Sequence, residues 1–172
     1  MDYAEARPQM KSGDLVALTH TQWASLYDLQ VQAVRIGTES EYCHIAVVWV
    51  VAGRVFLIES VVPKIRIFPL SNLKDHGFYW IPTDVPMSDA ELEFGLSRVG
   101  YGDYSKLQAV AGQLGWLKIG EDELWFCAEL VWMMRKLSGL TLGKKATPAA
   151  MVQSALEKGY ALRFVLTNKT RE

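Results

Sequence analysis

His44-Ile45-Ala46-Val47-Val48-Trp49-Val50-Val51, Ala52-Gly53, Arg54-Val55-Phe56-Leu57-Ile58-Glu59-Ser60-Val61 reads as two strands around a tight turn. β-Branched and aromatic residues fill both arms, and the Ala-Gly pair breaks them. A two-residue turn sets the register: Val51 faces Arg54, Val48 faces Leu57, and Ala46 faces Glu59. Directly paired residues share a face, and His44 has the parity of Ala46. His44 and Glu59 then become diagonal neighbours, about 7–8 Å apart and within reach of a long side chain. Glu59 could hold the His44 imidazole and fix its tautomer. A glutamate solvated near a strand end is the other reading, and a three-residue loop would put the two residues on opposite faces.

Working outward, Asp14-Leu15-Val16-Ala17-Leu18 is a short strand behind a Ser12-Gly13 turn, and Met1 to Gly13 (residues 1–11 above all) read as a loose lead-in. Gln22 to Arg35 carries Trp23, Leu26, Tyr27, Val31 and Val34 at helical spacing. Lys64 to Phe68 alternates charged and apolar residues like a half-exposed strand, and Phe78 to Ile81 is a further strand. Ser88-Asp89-Ala90-Glu91 has the capping-box spacing and opens a helix to about Val99. Asp103 to Leu114 is a weaker helical stretch, interrupted by Gly112. Thr147-Pro148 starts another helix, closed by Gly159. Tyr160 to Leu166 is a closing strand. Strands in a meander, with helices before and after, give an α+β fold in a single domain spanning 1–172.

The second decisive stretch is Leu124-Trp125-Phe126-Cys127-Ala128-Glu129-Leu130-Val131-Trp132-Met133-Met134-Arg135-Lys136-Leu137. Cys127, Leu130, Val131 and Met134 follow helical spacing, and Trp132 and Met133 add a second apolar side. Asp122 and Glu123 precede the helix and Gly139 ends it. A thiol at a helix start faces unpaired N–H groups and the positive end of the dipole, which favour the thiolate. A buried core cysteine is the plainer reading.

Composition narrows the function classes. The chain has 172 residues, 50% hydrophobic and 22% charged, as an ordinary globular domain has. A formal net charge of -1 argues against nucleic acid or an anionic membrane as a partner held by bulk charge. No run approaches the roughly 18 apolar residues of a membrane span, and the N-terminus lacks a signal peptide's basic and apolar regions. The expected location is cytoplasmic, with a phage particle or signal-independent export as alternatives. Two cysteines, Cys43 and Cys127, make no disulfide framework. Cys43, His44, Cys127 and His20 lack the paired spacing of a zinc site, so neither metal nor cofactor is expected. His20 and His76 read as loop and turn residues.

These residues suggest acyl-transfer chemistry, which needs a nucleophile, a base and a group that orients the base. Cys127, His44 and Glu59 would fill those roles, with helix-start N–H groups at the oxyanion. Cys43 adjoins His44 in the strand, so its side chain turns to the other face.

Five stretches, taken in order, resemble the papain-like, NlpC-type amidase superfamily in circularly permuted form, in particular its YiiX-type branch. Ser12-Gly13-Asp14-Leu15-Val16 resembles the "GDL" strand, and Tyr42 to Val48 the strand of the catalytic histidine. Val55 to Ser60 resembles the strand of the third polar residue, Gly102-Asp103-Tyr104-Ser105 a "PYD"-like stretch, and Phe126 to Val131 the "CSELV" helix start. Thr147 to Met151 also resembles a "TP…L" segment. Histidine before cysteine marks the permutation. The resemblance implies a papain-like antiparallel sheet packed on the cysteine helix, with Cys127 as nucleophile, His44 as base and Glu59 as third member. Ala128 and Ser105 depart from the family's usual Ser and Asp, and Thr19 to Glu41 is long, as a lid or substrate-specific insert would be.

The expected function is therefore a cysteine hydrolase on an amide, an amidase or endopeptidase of a peptidoglycan-type peptide bound in a cleft. An acyltransferase, thioesterase or phospholipase on lipid acyl esters is the alternative. A binding or virion-structural protein on the same scaffold is the third.

Overall fold

Ala52 and Gly53 both take positive φ, 50° and 71°, and so form the two-residue turn that suits the twist of a hairpin. The register follows: Val51 pairs with Arg54 and Val48 with Leu57. In the computed structural model, residues 1–19, 42–61, 64–73, 77–100, 127–144 and 146–167 are described. The helices expected over Gln22–Arg35 and Asp103–Leu114, and the residues His20, His76, Asp122 and Glu123, lie outside them.

The described residues form six strands: β1 (Leu15–Thr19), β2 (Tyr42–Val51), β3 (Arg54–Val61), β4 (Lys64–Pro69), β5 (Gly77–Ile81) and β6 (Arg163–Leu166). They make one antiparallel sheet in the order β4-β3-β2-β1-β5-β6. Four α-helices accompany it: α1 (Tyr3–Ala6), α2 (Asp89–Ser97), α3 (Cys127–Leu137) and α4 (Pro148–Glu157). The arrangement is α+β. No helix among the described residues is long and apolar enough to cross a membrane.

The strands read as near-continuous apolar runs because both faces of the sheet are covered. Leu15, Ala17, Ile45, Val47 and Ile58 pack against Ala128, Leu130, Val131 and Met134 of α3 and Met151, Val152 and Ala155 of α4. On the other face, Val16, Ala46, Val48, Leu57, Phe78 and Trp80 pack against Ala6, Met10 and Leu70.

That second layer corrects the reading of the N-terminus as a loose lead-in. Asp2 caps α1, accepting from Ala4 N–H at 2.9 Å, and Ala6 and Met10 bury themselves on the sheet. The Met1 ammonium donates to Phe164 O and Leu166 N–H donates to Met1 O, each at 3.0 Å, so the terminus lines the outer edge of β6. A sheet face this apolar needs a cover, and the first ten residues supply part of it.

One further boundary and one side-chain partner differ from expectation. The closing strand starts at Arg163, not Tyr160, because Tyr160 N–H is spent on Ala155 O in the C-terminal cap of α4, where Gly159 has φ 85°. Ser88 caps α2 by accepting from Glu91 N–H at 3.1 Å. The Glu91 carboxylate does not complete a capping box. It turns into the core and meets Arg135 Nη1 of α3 at 2.6 Å.

Candidate active site

α3 buries Cys127, Leu130, Val131, Met134 and Arg135, the i, i+3, i+4, i+7, i+8 stripe of a helix seated on a sheet. This stripe puts Cys127, the first described residue of α3, against the sheet.

An irregularity in β2 adjoins His44. Leu18 of β1 pairs with His44, but Thr19 pairs with Tyr42, so Cys43 is an extra residue opposite β1. Tyr42 and Ile45 accordingly pack on the same, helix-side cluster although they are three residues apart, which strict alternation forbids. Strict alternation would send His44 with Ala46 to the face away from α3. A bulge re-aims neighbouring side chains; His44 adjoins this one, hydrogen-bonds with Glu59, and has Cys127 close enough to act on its protonation.

His44 Nε2 donates to Glu59 Oε2 at 2.8 Å. An ionised carboxylate only accepts, so Nε2 is the protonated ring nitrogen in this bond. Glu59 is buried, and its second oxygen, Oε1, accepts from Arg66 Nε at 2.8 Å. Burial by itself would lower the His44 basicity. Hydrogen bonds and charge from Cys127 and Glu59 outweigh it and hold the imidazole well above its ordinary value of 6.5. Burial likewise opposes ionisation of Glu59, but His44 and Arg66 overcome it and keep the carboxyl below its ordinary value.

Two other residues singled out in the sequence lie apart from this group. Cys43 Sγ donates to Leu18 O at 3.3 Å, and neither cysteine forms a disulfide. Asp14 spends its carboxylate on structure. Its Oδ2 accepts from Lys11 N–H and Trp80 Nε1, each at 2.9 Å, and its Oδ1 from Thr83 N–H at 3.2 Å. The Gly13-Asp14 pair therefore locks the start of β1 to the chain after β5.

Arg66 is the residue that sequence reading missed. The signal was available: a two-residue connection between Val61 and Lys64 makes Glu59 and Arg66 direct partners, as they are in the ladder.

No family model matches the sequence, and no curated protein matches it. Among solved structures, the chain is similar to that of metalloprotein yiiX from Escherichia coli O157:H7. The two share 16% identity over 79% of this chain and 71% of that one, with a TM-score of 0.55. The fold is YiiX-like.

Proposed function

We propose that this chain is a cysteine hydrolase of the permuted papain-like type, cleaving an amide in a peptidoglycan-type peptide. The observation that carries the reading is the position of His44, hydrogen-bonded to a buried carboxylate and close enough to the Cys127 thiol of α3 for that thiol to act on its protonation.

In this reading the Cys127 thiolate attacks the amide carbon and the carbonyl π electrons move to oxygen. N–H groups of the first turn of α3 stabilise that oxyanion. The imidazolium of His44 gives its Nδ1 proton to the leaving amine as the C–N bond breaks, leaving a thioester on Cys127. Neutral His44 then takes a proton from water, whose oxygen attacks the thioester. The carboxylic acid leaves and the thiolate–imidazolium pair is restored. Glu59 keeps Nε2 as donor throughout, so the ring does not turn away from the thiol.

YiiX is described as a metalloprotein. Among the described residues of this chain, no group of three or more His, Cys, Asp or Glu side chains is placed to hold a metal ion. These residues do not fit one, and no step above runs through a metal.

The test is turnover by purified protein on peptidoglycan-derived peptides and, separately, on acyl esters, with Cys127→Ala as control. The reading requires release of a new amine from the peptides and its loss in the variant. Turnover of esters with none of peptides would replace the amidase reading with lipid acyl chemistry. Binding of peptides without turnover would replace it with a binding protein.

A further inference from the structure

We propose that Arg66 is a positioning residue of this site, holding Glu59 so that Glu59 can hold His44. The inference rests on the Cys127–His44 reading above.

Three observations point to it. Arg66 lies directly opposite Glu59 in the β3–β4 ladder. Its Nε and Nη2 both lie 2.8 Å from Glu59 Oε1, while His44 takes Oε2. Each carboxylate oxygen thus has its own cationic or donor partner, and the carboxylate plane is fixed from both ends. The guanidinium is itself held: its Cζ lies 4.5 Å over the ring of Phe68, two residues along β4.

The location argues for a role beyond stability. Arg66 is half exposed on an edge strand, where an ion pair contributes little to folding. Its partner is a buried carboxylate whose ionisation burial opposes. The charged groups acting on His44 are Cys127 from α3 and Glu59 from β3. Those lowering Glu59 are His44 from β2 and Arg66 from β4. Removing Arg66 leaves Oε1 with no guanidinium and moves Glu59 toward its neutral form. A neutral Glu59 supports the imidazolium less, and the thiolate beside it loses its counter-charge.

The experiment is an NMR titration of the His44 ring nitrogens, paired with the rate of Cys127 alkylation by iodoacetamide across pH. It uses the otherwise unsubstituted chain, Arg66→Met, Arg66→Lys, Glu59→Gln and Glu59→Gln/Arg66→Met, all carrying Cys43→Ala. Arg66→Met should move the His44 midpoint toward its ordinary value and slow alkylation near pH 6 several-fold. Arg66→Lys, which keeps the charge without the fork, should lie between. In the Glu59→Gln background Arg66→Met should add nothing, because Arg66 acts through Glu59. If Arg66→Met does not fold, the same direction of change in Arg66→Lys carries the test. An Arg66 series that leaves both profiles at wild-type values, while wild-type His44 titrates high and Cys127 reacts fast, overturns the proposal and spares the Cys127–His44 reading. An ordinary His44 midpoint with slow Cys127 in wild type overturns both.

Discussion

His44 and Glu59 start from adjacent strands of one hairpin, two ladder positions apart, and their side chains meet at 2.8 Å. The bond is shielded from water, since Glu59 is buried and His44 nearly so. In such surroundings an ion pair or charged hydrogen bond keeps much more of its strength than it would on the surface. The pair therefore leaves a signature in stability as well as in chemistry.

That signature is a pH dependence with a sign on each side. His44 is raised above its ordinary 6.5, so its contribution to stability is complete below that value and is lost as pH rises through the folded value. Glu59 is lowered from its ordinary 4.5, so its contribution is present above that value and is lost as pH falls through the folded one. Urea midpoints of the wild type should form a plateau between the two and fall on both sides. His44→Gln should flatten the alkaline fall and Glu59→Gln the acid one. A His44→Gln profile parallel to wild type at alkaline pH would show that His44 is not held as charged.

The far end of α3 is tied down by a second buried pair. Arg135 and Glu91 are both fully buried, 2.6 Å apart, and Arg135 Nη2 also donates to Val85 O at 2.7 Å. Ser138 hydrogen-bonds to the same carboxylate oxygen. Arg135→Met should cost about 3–5 kcal/mol in chemical denaturation, because it strands a buried carboxylate. Glu91→Leu with Arg135→Met should recover most of that loss. Additive losses in the double variant would contradict this account of the pair.

Gly13 packs where no side chain fits. Its φ is 99°, and a Cβ there would lie 2.7 Å from Val85 O and 2.8 Å from Arg135 Nη1. Gly13→Ala should lose about 1–3 kcal/mol from backbone strain, with the contact against a backbone carbonyl adding to it. Gly53 also has positive φ, but nothing lies within 4 Å of its Cβ position. Gly53→Asn should therefore melt close to wild type, since Asn tolerates that backbone. Equal melting temperatures for the two variants would show that close packing at Gly13 is not what requires glycine.

The hairpin was legible because turn chemistry and strand parity are local. Ala52-Gly53 fixes which residues face one another, and with them the nearness of His44 to Glu59. The cysteine helix was legible from its apolar spacing. What stayed hidden depends on distant partners. The bulge at Cys43 is set by where β1 breaks register with β2, and no residue of β2 announces it. The N-terminal helix is short and gains its order from burying Ala6 and Met10 on a sheet that forms from later sequence. Glu91 has the spacing of a capping-box glutamate, and it is Arg135, 44 residues on, that draws it inward instead.

The most direct test of the central claim, that Cys127 and His44 work as a pair, is site-resolved thiol labelling. Iodoacetamide rates would be read at Cys127 and Cys43 by peptide mass spectrometry from about pH 5 to 9, on wild type and His44→Ala. The account predicts that Cys127 labels much faster than Cys43 near pH 6, and that His44→Ala abolishes this advantage while leaving Cys43 unchanged. Labelling of both cysteines only after unfolding, or a Cys127 profile that His44→Ala does not move, would make Cys127 a core residue and contradict the hydrolase reading.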